Sequence, residues 1–288
     1  MKLNTPNLVK TLINLSGKVL SGDGMLKAVI KNTRIVDGKS FIGMGLLGLL
    51  MNFRHNPDFK GAIILVISLI LYVAYAFAIN NCFDVDTDLK NPQKRNKNPV
   101  ASGELSFRMG IISSALIAAL GVLFAFFLSY REFMIYILML LLATFYSAPP
   151  RLKAKPIVDV VSHGIFFGAM PFIYGAYFDG ILTKYEIAIA IALLLYSFAM
   201  ELRNHLEDYE SDLKANLKTT PIVIGKKLSE KLILAFSGLS IALLLTLLNI
   251  PFGALGIAIV GVRASYRLFD VVVVFLLLFH ALKALLGV

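Results

Sequence analysis

Long apolar runs alternate with short polar segments along the chain. Nine such runs, bounded by charged residues, proline or glycine, occur at 41–53, 61–83, 109–129, 132–148, 156–178, 186–202, 231–250, 252–262 and 269–287. Most approach the roughly 20 residues that cross a hydrocarbon layer as a helix, and the run at 252–262 is the shortest. The runs are continuous rather than alternating with a period of two, and lipid admits only helices and closed barrels. The pattern therefore predicts an all-α, polytopic membrane bundle of about nine transmembrane helices.

The first 38 residues differ from the rest of the chain because they are polar and basic. Lysines and asparagines interrupt every apolar stretch there, so we expect no cleavable signal peptide. Leu and Val spaced among lysines fit either a helix lying on the membrane surface or a flexible tail. We therefore predict a cytoplasmic N-terminal segment at 1–38 and a transmembrane domain at 39–288.

Basic residues are distributed unequally between the two faces that nine spans would define. Of the 28 Lys and Arg residues, 23 fall before the first run or in every second loop after it, and five fall on the other face. The positive-inside rule then places the N-terminus in the cytoplasm and the C-terminus outside. The net charge of +10 is spread over several segments without a DNA-binding motif, so we expect attraction to anionic lipid and no nucleic acid partner. The single cysteine, Cys82, excludes an internal disulfide and a cysteine-based zinc site.

Seven of the 18 acidic residues lie in two short stretches, each at the cytoplasmic end of an apolar run. The first stretch places Asn80, Asp84 and Asp88 at intervals of four residues, and the second repeats that interval at Asp208 and Asp212. Residues four apart share a helical face, so each set is predicted to point in one direction. Both stretches belong to the same membrane face by the charge count, and they can therefore face each other.

Repeated carboxylates at this spacing favour a bound cation. Like charges four residues apart repel by about a few tenths of a kcal/mol per pair on an exposed helix. Hard oxygen ligands suit Mg²⁺, which binds through one or two carboxylates together with substrate phosphates. The simpler alternative is that these carboxylates solvate helix ends and pair with nearby lysines. Asp86 and Glu210 fall off the shared face and are interpreted as solvent-facing or supporting groups.

These motifs resemble those of the UbiA-type intramembrane prenyltransferases, which carry an N-x-x-x-D-x-x-x-D motif and a second D-x-x-x-D motif. Three further segments are similar to family patterns, namely N-P-V-A-S-G at 98–103, Y-S-A-P-P-R-L-K at 146–153 and K-T-T-P with its later glycine at 218–225. Asn98 departs from the family's usual arginine, which leaves Lys94, Arg95 or Lys97 to supply that charge. The resemblance covers three cytoplasmic loops in the expected order.

The resemblance implies Mg²⁺-dependent transfer of a prenyl group from an isoprenyl diphosphate to a hydrophobic acceptor. It implies that diphosphate leaves and that an allylic cation forms within the membrane. The implied metal ligands are Asn80, Asp84, Asp88, Asp208 and Asp212, and the implied catalytic residues are the four aspartates and Tyr146. The candidate diphosphate-binding residues are Asn80, Lys94, Arg95, Lys97, Lys153, Arg203 and Arg34. His205 is a candidate general base and His163 a candidate buried hydrogen-bonding group, although packed or solvated histidines are commoner.

Two other classes remain open at this point. A transporter would also carry charged residues in a polytopic bundle, but transporter sites lie near the midplane rather than at one boundary. The membrane CDP-alcohol phosphotransferases also use aspartate-bound metals, but their single-segment motif is missing from the sequence. The acceptor is left open among aromatic quinone precursors, glycerol-phosphate lipids, tetrapyrroles and carotenoids, all of which the family uses. Prenyl chain length and oligomeric state are left open as well.

Overall fold

The structure is a computed structural model that describes residues 22–249 and 266–287. Within these residues it is built from helices and connecting loops, without a strand. The longer helices are α1 (Gly22–Asn32), α2 (Lys39–Asn52), α3 (Phe59–Phe83), α4 (Phe107–Ala125), α5 (Tyr130–Ser147), α6 (Val158–Asp179), α7 (Lys184–Glu207), α8 (Lys226–Leu247) and α9 (Tyr266–Leu286). Short helical turns are Val85–Asp88, Pro92–Lys97, Leu152–Ala154, Tyr209–Lys214 and Thr220–Ile224.

Seven of these helices, α3 to α9, are long and apolar enough to cross a membrane. The predicted run at 41–53 becomes α2, an apolar helix of 14 residues that is shorter than a full span. The predicted run at 252–262 lies outside the described residues. The predicted all-α membrane bundle is therefore confirmed, whereas the number of nine spans stays a prediction.

The described part of the N-terminal segment is the helix α1. Its Ala28 and Asn32 are buried, while Leu26 and Ile30 are exposed. Asn81 on α3 donates a hydrogen bond to the carbonyl oxygen of Asn32 at 3.0 Å, so α1 is attached to the bundle. The two-part division at residue 38 stays a prediction, and residues 1–21 lie outside the described part.

The bundle is held together by pairs of closely packed helices. α3 packs along α4 and α5, α7 packs along α8 and against the middle of α6, and α2 packs on α6 and α9. The α2–α6 crossing is very close, because a methyl group on Gly175 would overlap the carbonyl oxygen of Gly45. Small residues allow such close approach of helix backbones in membranes, where packing rather than water exclusion favours association.

The two ends of the bundle carry different loops. The end at which α3, α5 and α7 finish, here called the motif end, carries the loops 84–106, 148–157 and 208–225. At the opposite end, α5 and α7 each begin with a capping box, in which Ser129 pairs with Glu132 and Thr183 with Glu186. Both aspartate motifs are therefore at the same end, as the sequence predicts.

A π-helical turn at Gly164–Ala169 interrupts α6 just after His163. The hydroxyl of Tyr72 on α3 donates to the carbonyl oxygen of Phe166 in this turn at 2.6 Å. Single π-helical turns change the direction of the side chains that follow them and are frequent at functional sites. Here the turn places Phe166 and Phe167 in the interior, beside His163 and below the motif end.

Candidate active site

The two aspartate motifs have the same backbone arrangement. Asp84 caps the C-terminus of α3, with φ of −99° and ψ of 5°. Asp208 caps the C-terminus of α7 in nearly the same conformation, with φ of −90° and ψ of −1°. In each motif the next aspartate, Asp88 or Asp212, lies in a short helical turn and donates its backbone N–H to the carbonyl oxygen of the capping aspartate at 2.8 and 2.9 Å. Each motif thus spans a helix end, and this backbone hydrogen bond keeps its two aspartates one helical turn apart.

The first motif is surrounded by basic groups from the loop after α5. Asp84 accepts a hydrogen bond from the Asn80 side chain at 2.8 Å and forms a close ion pair with Lys153. Arg151 lies 3.6 Å from Asp84 and donates two hydrogen bonds of 2.9 Å to Asp86. Asp86 is therefore a supporting group that holds the Arg151 guanidinium beside Asp84, in agreement with its interpretation from spacing.

Asp88 is held by an asparagine. The side chain of Asn98 donates to Asp88 at 2.9 Å and to the carbonyl oxygen of Asn81 at 2.8 Å, and its oxygen accepts from the backbone of Val100 and Ala101. Burial raises the pKa of Asp88, an effect that the Asn98 hydrogen bond and the Lys94 charge oppose. Asn98 thus anchors its loop to the first motif through a neutral contact.

The second motif is joined to the first across the loops. Asp208 forms a close ion pair with Lys94, which follows the first motif in the chain. Lys90, from the same loop, donates to the carbonyl oxygen of Lys214 at 3.0 Å. Asp212 is buried and lies 3.7 Å from Nδ1 of His205. The predicted meeting of the two stretches is thus observed in the structure, and Lys94 is the residue of the 94–97 group that contacts a motif carboxylate.

Lys153 occupies the space between the motifs. Its side chain is only 9% exposed, and the loss of hydration lowers its pKa to about 7. The charges of Asp212, Glu201 and Asp208 act in the opposite direction and favour its protonated form. A single ammonium group therefore lies in the field of carboxylates from both motifs, which shows that the motifs enclose one common space.

Tyr146 lies at the border between this space and the apolar interior. Its hydroxyl donates a close hydrogen bond to Glu201 on α7. The adjacent Ser147 donates to Asn80 at 3.1 Å, so the end of α5 contacts both motif-bearing helices. On the interior side, the ring of Phe166 packs near the Tyr146 ring, with 4.9 Å between the two ring centroids.

A buried polar network continues from Glu201. His163 and His205 each place Nε2 near its carboxylate, at 3.3 and 3.0 Å. His205 also lies 3.4 Å from Asp159, and Asp159 accepts the backbone N–H of Thr220 at 2.6 Å. The network therefore joins the starts of α6 and of the 220–224 turn to the end of α7, and it fixes the loop that follows the second motif.

The other predicted diphosphate ligands are exposed or pair with residues outside the two motifs. Arg34 forms an ion pair with Asp37 and lies over the ring of Phe77, and Arg95 and Lys97 are exposed on the Pro92–Lys97 turn. Arg203 pairs with Asp270 on α9 at 2.9 Å, and its assignment to the diphosphate stays a prediction. Five residues separate Arg203 from Asp208, which at about 100° per residue turns its side chain well away from the motif.

The sequence pattern did not single out Arg151 or Glu201. Arg151 has a left-handed backbone, with φ of 54°, which is uncommon for a residue other than glycine and marks a constrained site. Glu201 is a buried acid in an otherwise apolar run, and that position alone is a signal of function in a membrane helix. Neither residue belongs to a repeated spacing, so the spacing pattern does not identify them.

The donor set suits a hard divalent cation. The motif residues offer carboxylate and amide oxygens, and the structure already pairs Asp84 and Asp208 with lysine ammonium groups, so this space attracts positive charge. Within the described residues, three His, Cys, Asp or Glu side chains do not converge closely enough to form a ready-made metal centre. The arrangement matches Mg²⁺ ligation shared with a substrate phosphate better than a cage made by protein alone.

The chain is similar to known proteins in both sequence and structure. A family model described as the UbiA prenyltransferase family matches residues 41–280. The digeranylgeranylglyceryl phosphate synthase of Thermococcus kodakarensis is 30% identical over 188 residues, which is 64% of each chain and therefore slightly under two thirds of that relative. The synthase of the same description from Pyrococcus horikoshii is 27% identical over 234 residues, covering 80% of this chain and 81% of the relative.

Solved structures show the same fold. A UbiA homolog from Archaeoglobus fulgidus, bound to GPP and Mg²⁺, superposes with a TM-score of 0.69 at 21% identity and covers 90% of this chain and 99% of its own. A digeranylgeranylglyceryl phosphate synthase structure gives a TM-score of 0.67 at 20% identity, over 91% and 99% of the two chains. At these identities the match establishes the helical architecture alone.

Proposed function

The chain belongs to the UbiA prenyltransferase family, as its motifs predict, and we propose that it transfers the prenyl group of an isoprenyl diphosphate to a hydrophobic acceptor at the motif end. The observation that carries this proposal is the pairing of two aspartate motifs around Lys153 and Lys94 at one end of a membrane bundle. A site with two sets of carboxylates and two lysine ammonium groups fits a diphosphate with bound metal. Its position at the bundle end, rather than at the midplane, favours transfer chemistry over transport.

We propose that Asn80, Asp84, Asp88, Asp208 and Asp212 hold Mg²⁺ together with the diphosphate. Mg²⁺ bound there would neutralise negative charge that develops on the departing diphosphate. The chain's own cations would neutralise the same negative charge. Lys153 and Lys94, which pair with Asp84 and Asp208 in the structure, are then free to donate to diphosphate oxygens, and Asp86 keeps Arg151 directed toward the same space.

The reaction that this arrangement supports has a defined electron balance. The allylic C–O bond breaks, and its electron pair leaves with the diphosphate. The allylic carbon, now cationic, lies in an apolar interior whose aromatic rings exclude water and offer their π faces to positive charge. A nucleophilic atom of the acceptor then bonds to that carbon and loses its proton. Tyr146 lies at the border of the two regions and presents its hydroxyl there.

The relatives indicate which acceptors to test first. Those most similar in sequence include proteins described as digeranylgeranylglyceryl phosphate synthase and one from Corynebacterium glutamicum described as lycopene elongase/hydratase, which is 30% identical over 201 residues. A prenylated glyceryl phosphate and a carotenoid are therefore the first acceptors for this chain. Both are hydrophobic and reach an intramembrane site through the lipid.

The experiment that tests the function is turnover by purified protein in lipid. We expect diphosphate release and a prenylated product from an isoprenyl diphosphate and one of these acceptors when Mg²⁺ is present, and loss of both when EDTA removes it. Vesicles loaded with radiolabelled prenyl diphosphate provide the alternative readout. Movement of intact substrate across the bilayer without diphosphate release would indicate a transporter instead.

The chain is a multi-pass membrane protein, and we propose that its motif end faces the cytoplasm, with the N-terminus on the same side and the C-terminus outside. The excess of Lys and Arg in the loops of that end supports this orientation. Single cysteines at Gly103 and Asn216 in a Cys82→Ser background are expected to react with an impermeant thiol reagent from the cytoplasmic side only. A cysteine at Lys60, in the first turn of α3, should react only from outside. Labelling of Gly103 and Asn216 from opposite sides would contradict the site itself.

A further inference from the structure

Glu201 is a buried carboxylate at the centre of the polar network that adjoins the proposed site. It accepts the Tyr146 hydroxyl and the Asn204 side chain, the latter at 3.2 Å, and it faces Nε2 of both His163 and His205. Its side chain is 5% exposed, and the histidine ring beside it, His163, is equally buried. A buried carboxylate is costly unless it is paired, so four partners around one group indicate that its place is strictly defined.

The position of Tyr146 makes this carboxylate relevant to the reacting carbon. On one side of Tyr146, Ser147 contacts Asn80 of the first motif, where the diphosphate would lie. On the other side, Phe166, Phe167 and His163 form a cluster of rings with centroids 4.5 to 5.7 Å apart. A prenyl diphosphate would place its diphosphate on the motifs and its tail in the interior. The first carbon of its prenyl group would then lie at the border, beside Tyr146.

The direction of the hydrogen bond decides what Tyr146 can offer. A carboxylate only accepts, so the phenolic proton points at Glu201 and the oxygen lone pairs are left to face other groups. The negative charge that accepts the phenolic proton also makes the Tyr146 oxygen more electron-rich, because a hydrogen bond to a charged group polarises the O–H bond strongly where water is excluded. If Glu201 were absent, the hydroxyl could rotate and present its proton to the developing cation.

We propose that Glu201 is a positioning residue for prenyl transfer, which orients and polarises the Tyr146 hydroxyl so that its oxygen stabilises the allylic cation. His163 and His205 hold the Glu201 carboxylate in position. His163 lies on α6 just before the π-helical turn, and His205 lies on α7 itself. The inference rests on the proposed function and assigns Glu201 to the ionisation step. It gives Glu201 no contact with the diphosphate, and Asp212 and Asp208 keep Lys153 in the field of carboxylates when the Glu201 charge is removed.

The test is a double-mutant cycle of Glu201→Gln and Tyr146→Phe, assayed with purified protein in lipid. Glutamine keeps the size of the side chain and an acceptor oxygen but removes the charge. We expect E201Q to slow diphosphate release by about 10²-fold, as for loss of one electrostatic stabiliser of a transition state. Binding of a non-ionising thiolo analogue of the prenyl diphosphate with Mg²⁺ should stay within about twofold of wild type. In the Y146F background, E201Q should cause no further loss, because its effect passes through the hydroxyl.

The matched control is Glu186→Gln, which changes a buried glutamate on the same helix at the opposite end. It should leave ionisation unchanged and thereby separate the local effect from the general cost of removing a buried charge. Should E201Q fail to fold, the same cycle is run with E201D, which keeps the charge but moves it, and which should also slow ionisation only while Tyr146 is present. Wild-type ionisation rates in E201Q, weakened analogue binding, or losses that multiply in the double variant would overturn the inference. Absence of Mg²⁺-dependent release from wild-type protein would instead overturn the proposed function.

Discussion

Asp208→Asn is expected to lower the rate of prenyl transfer by about 10²- to 10³-fold while the protein stays folded. The substitution removes one negative charge from the second motif and so weakens the site for the divalent cation. It also removes the ion pair with Lys94, but Lys94 is 38% exposed and water can solvate its ammonium group. Turnover at saturating Mg²⁺ and the thermal unfolding temperature in detergent are the measurements, and we expect only the first to change.

Asp208 is a better probe than Asp84 for a structural reason. Asp84 pairs with Lys153, and the Lys153 side chain is only 9% exposed. Removal of Asp84 leaves a buried ammonium without its closest partner, which destabilises proteins strongly and would confuse loss of folding with loss of chemistry. The corresponding loss at Asp208 is confined to a partly solvated pair.

Glu210→Gln is the matched control for Asp208→Asn. It removes the same charge two residues away, in the same helical turn, but the Glu210 side chain is 70% exposed and pairs with Lys226 outside the motif. We expect it to retain wild-type activity. Equal losses in the two variants would mean that net charge at this membrane face, rather than the motif, controls the rate.

Repeated spacing is what allowed the site to be predicted from the sequence. An interval of four residues at Asp84 and Asp88, found again at Asp208 and Asp212, survives in the structure because each helix continues its backbone hydrogen bonds through the capping aspartate. Apolar run lengths and alternation of loops then place both motifs at one end. The family membership and the all-helical fold followed from the same features.

Contacts between distant loops could not be predicted in this way. The sequence gives the positive charges at one membrane face but not their directions, so Lys153 and Arg203 were equal candidates. Packing decides between them, because the turn after α5 directs Lys153 inward and the helical rotation of α7 directs Arg203 toward Asp270. Glu201 depends in the same way on helices that are far apart in the chain.

The lysine pairs also explain why metal and diphosphate are expected to bind together. Without substrate, Lys153 and Lys94 neutralise Asp84 and Asp208, so a cation that binds first has to displace ammonium groups. A diphosphate that binds first meets carboxylates of like charge. If both bind as proposed, the carboxylates would face Mg²⁺ and the displaced lysines would face the diphosphate, so that no charge would be left unpaired.

We therefore expect Mg²⁺ to tighten the binding of a non-ionising thiolo analogue of the prenyl diphosphate by about 5- to 150-fold, and the analogue to tighten Mg²⁺ by the same factor, as linkage requires. Calorimetric titration of each ligand in the presence and absence of the other measures both factors without turnover.

Because the coupling needs carboxylates from both motifs, Asp88→Asn and Asp212→Asn should each reduce it, while Glu210→Gln should leave it unchanged. Asp86→Asn is a separate case, since Asp86 holds Arg151 and its loss should weaken analogue binding with and without Mg²⁺ alike. Analogue binding that is tight without Mg²⁺, or a coupling factor that survives loss of either motif carboxylate, would contradict a metal site shared between the two motifs.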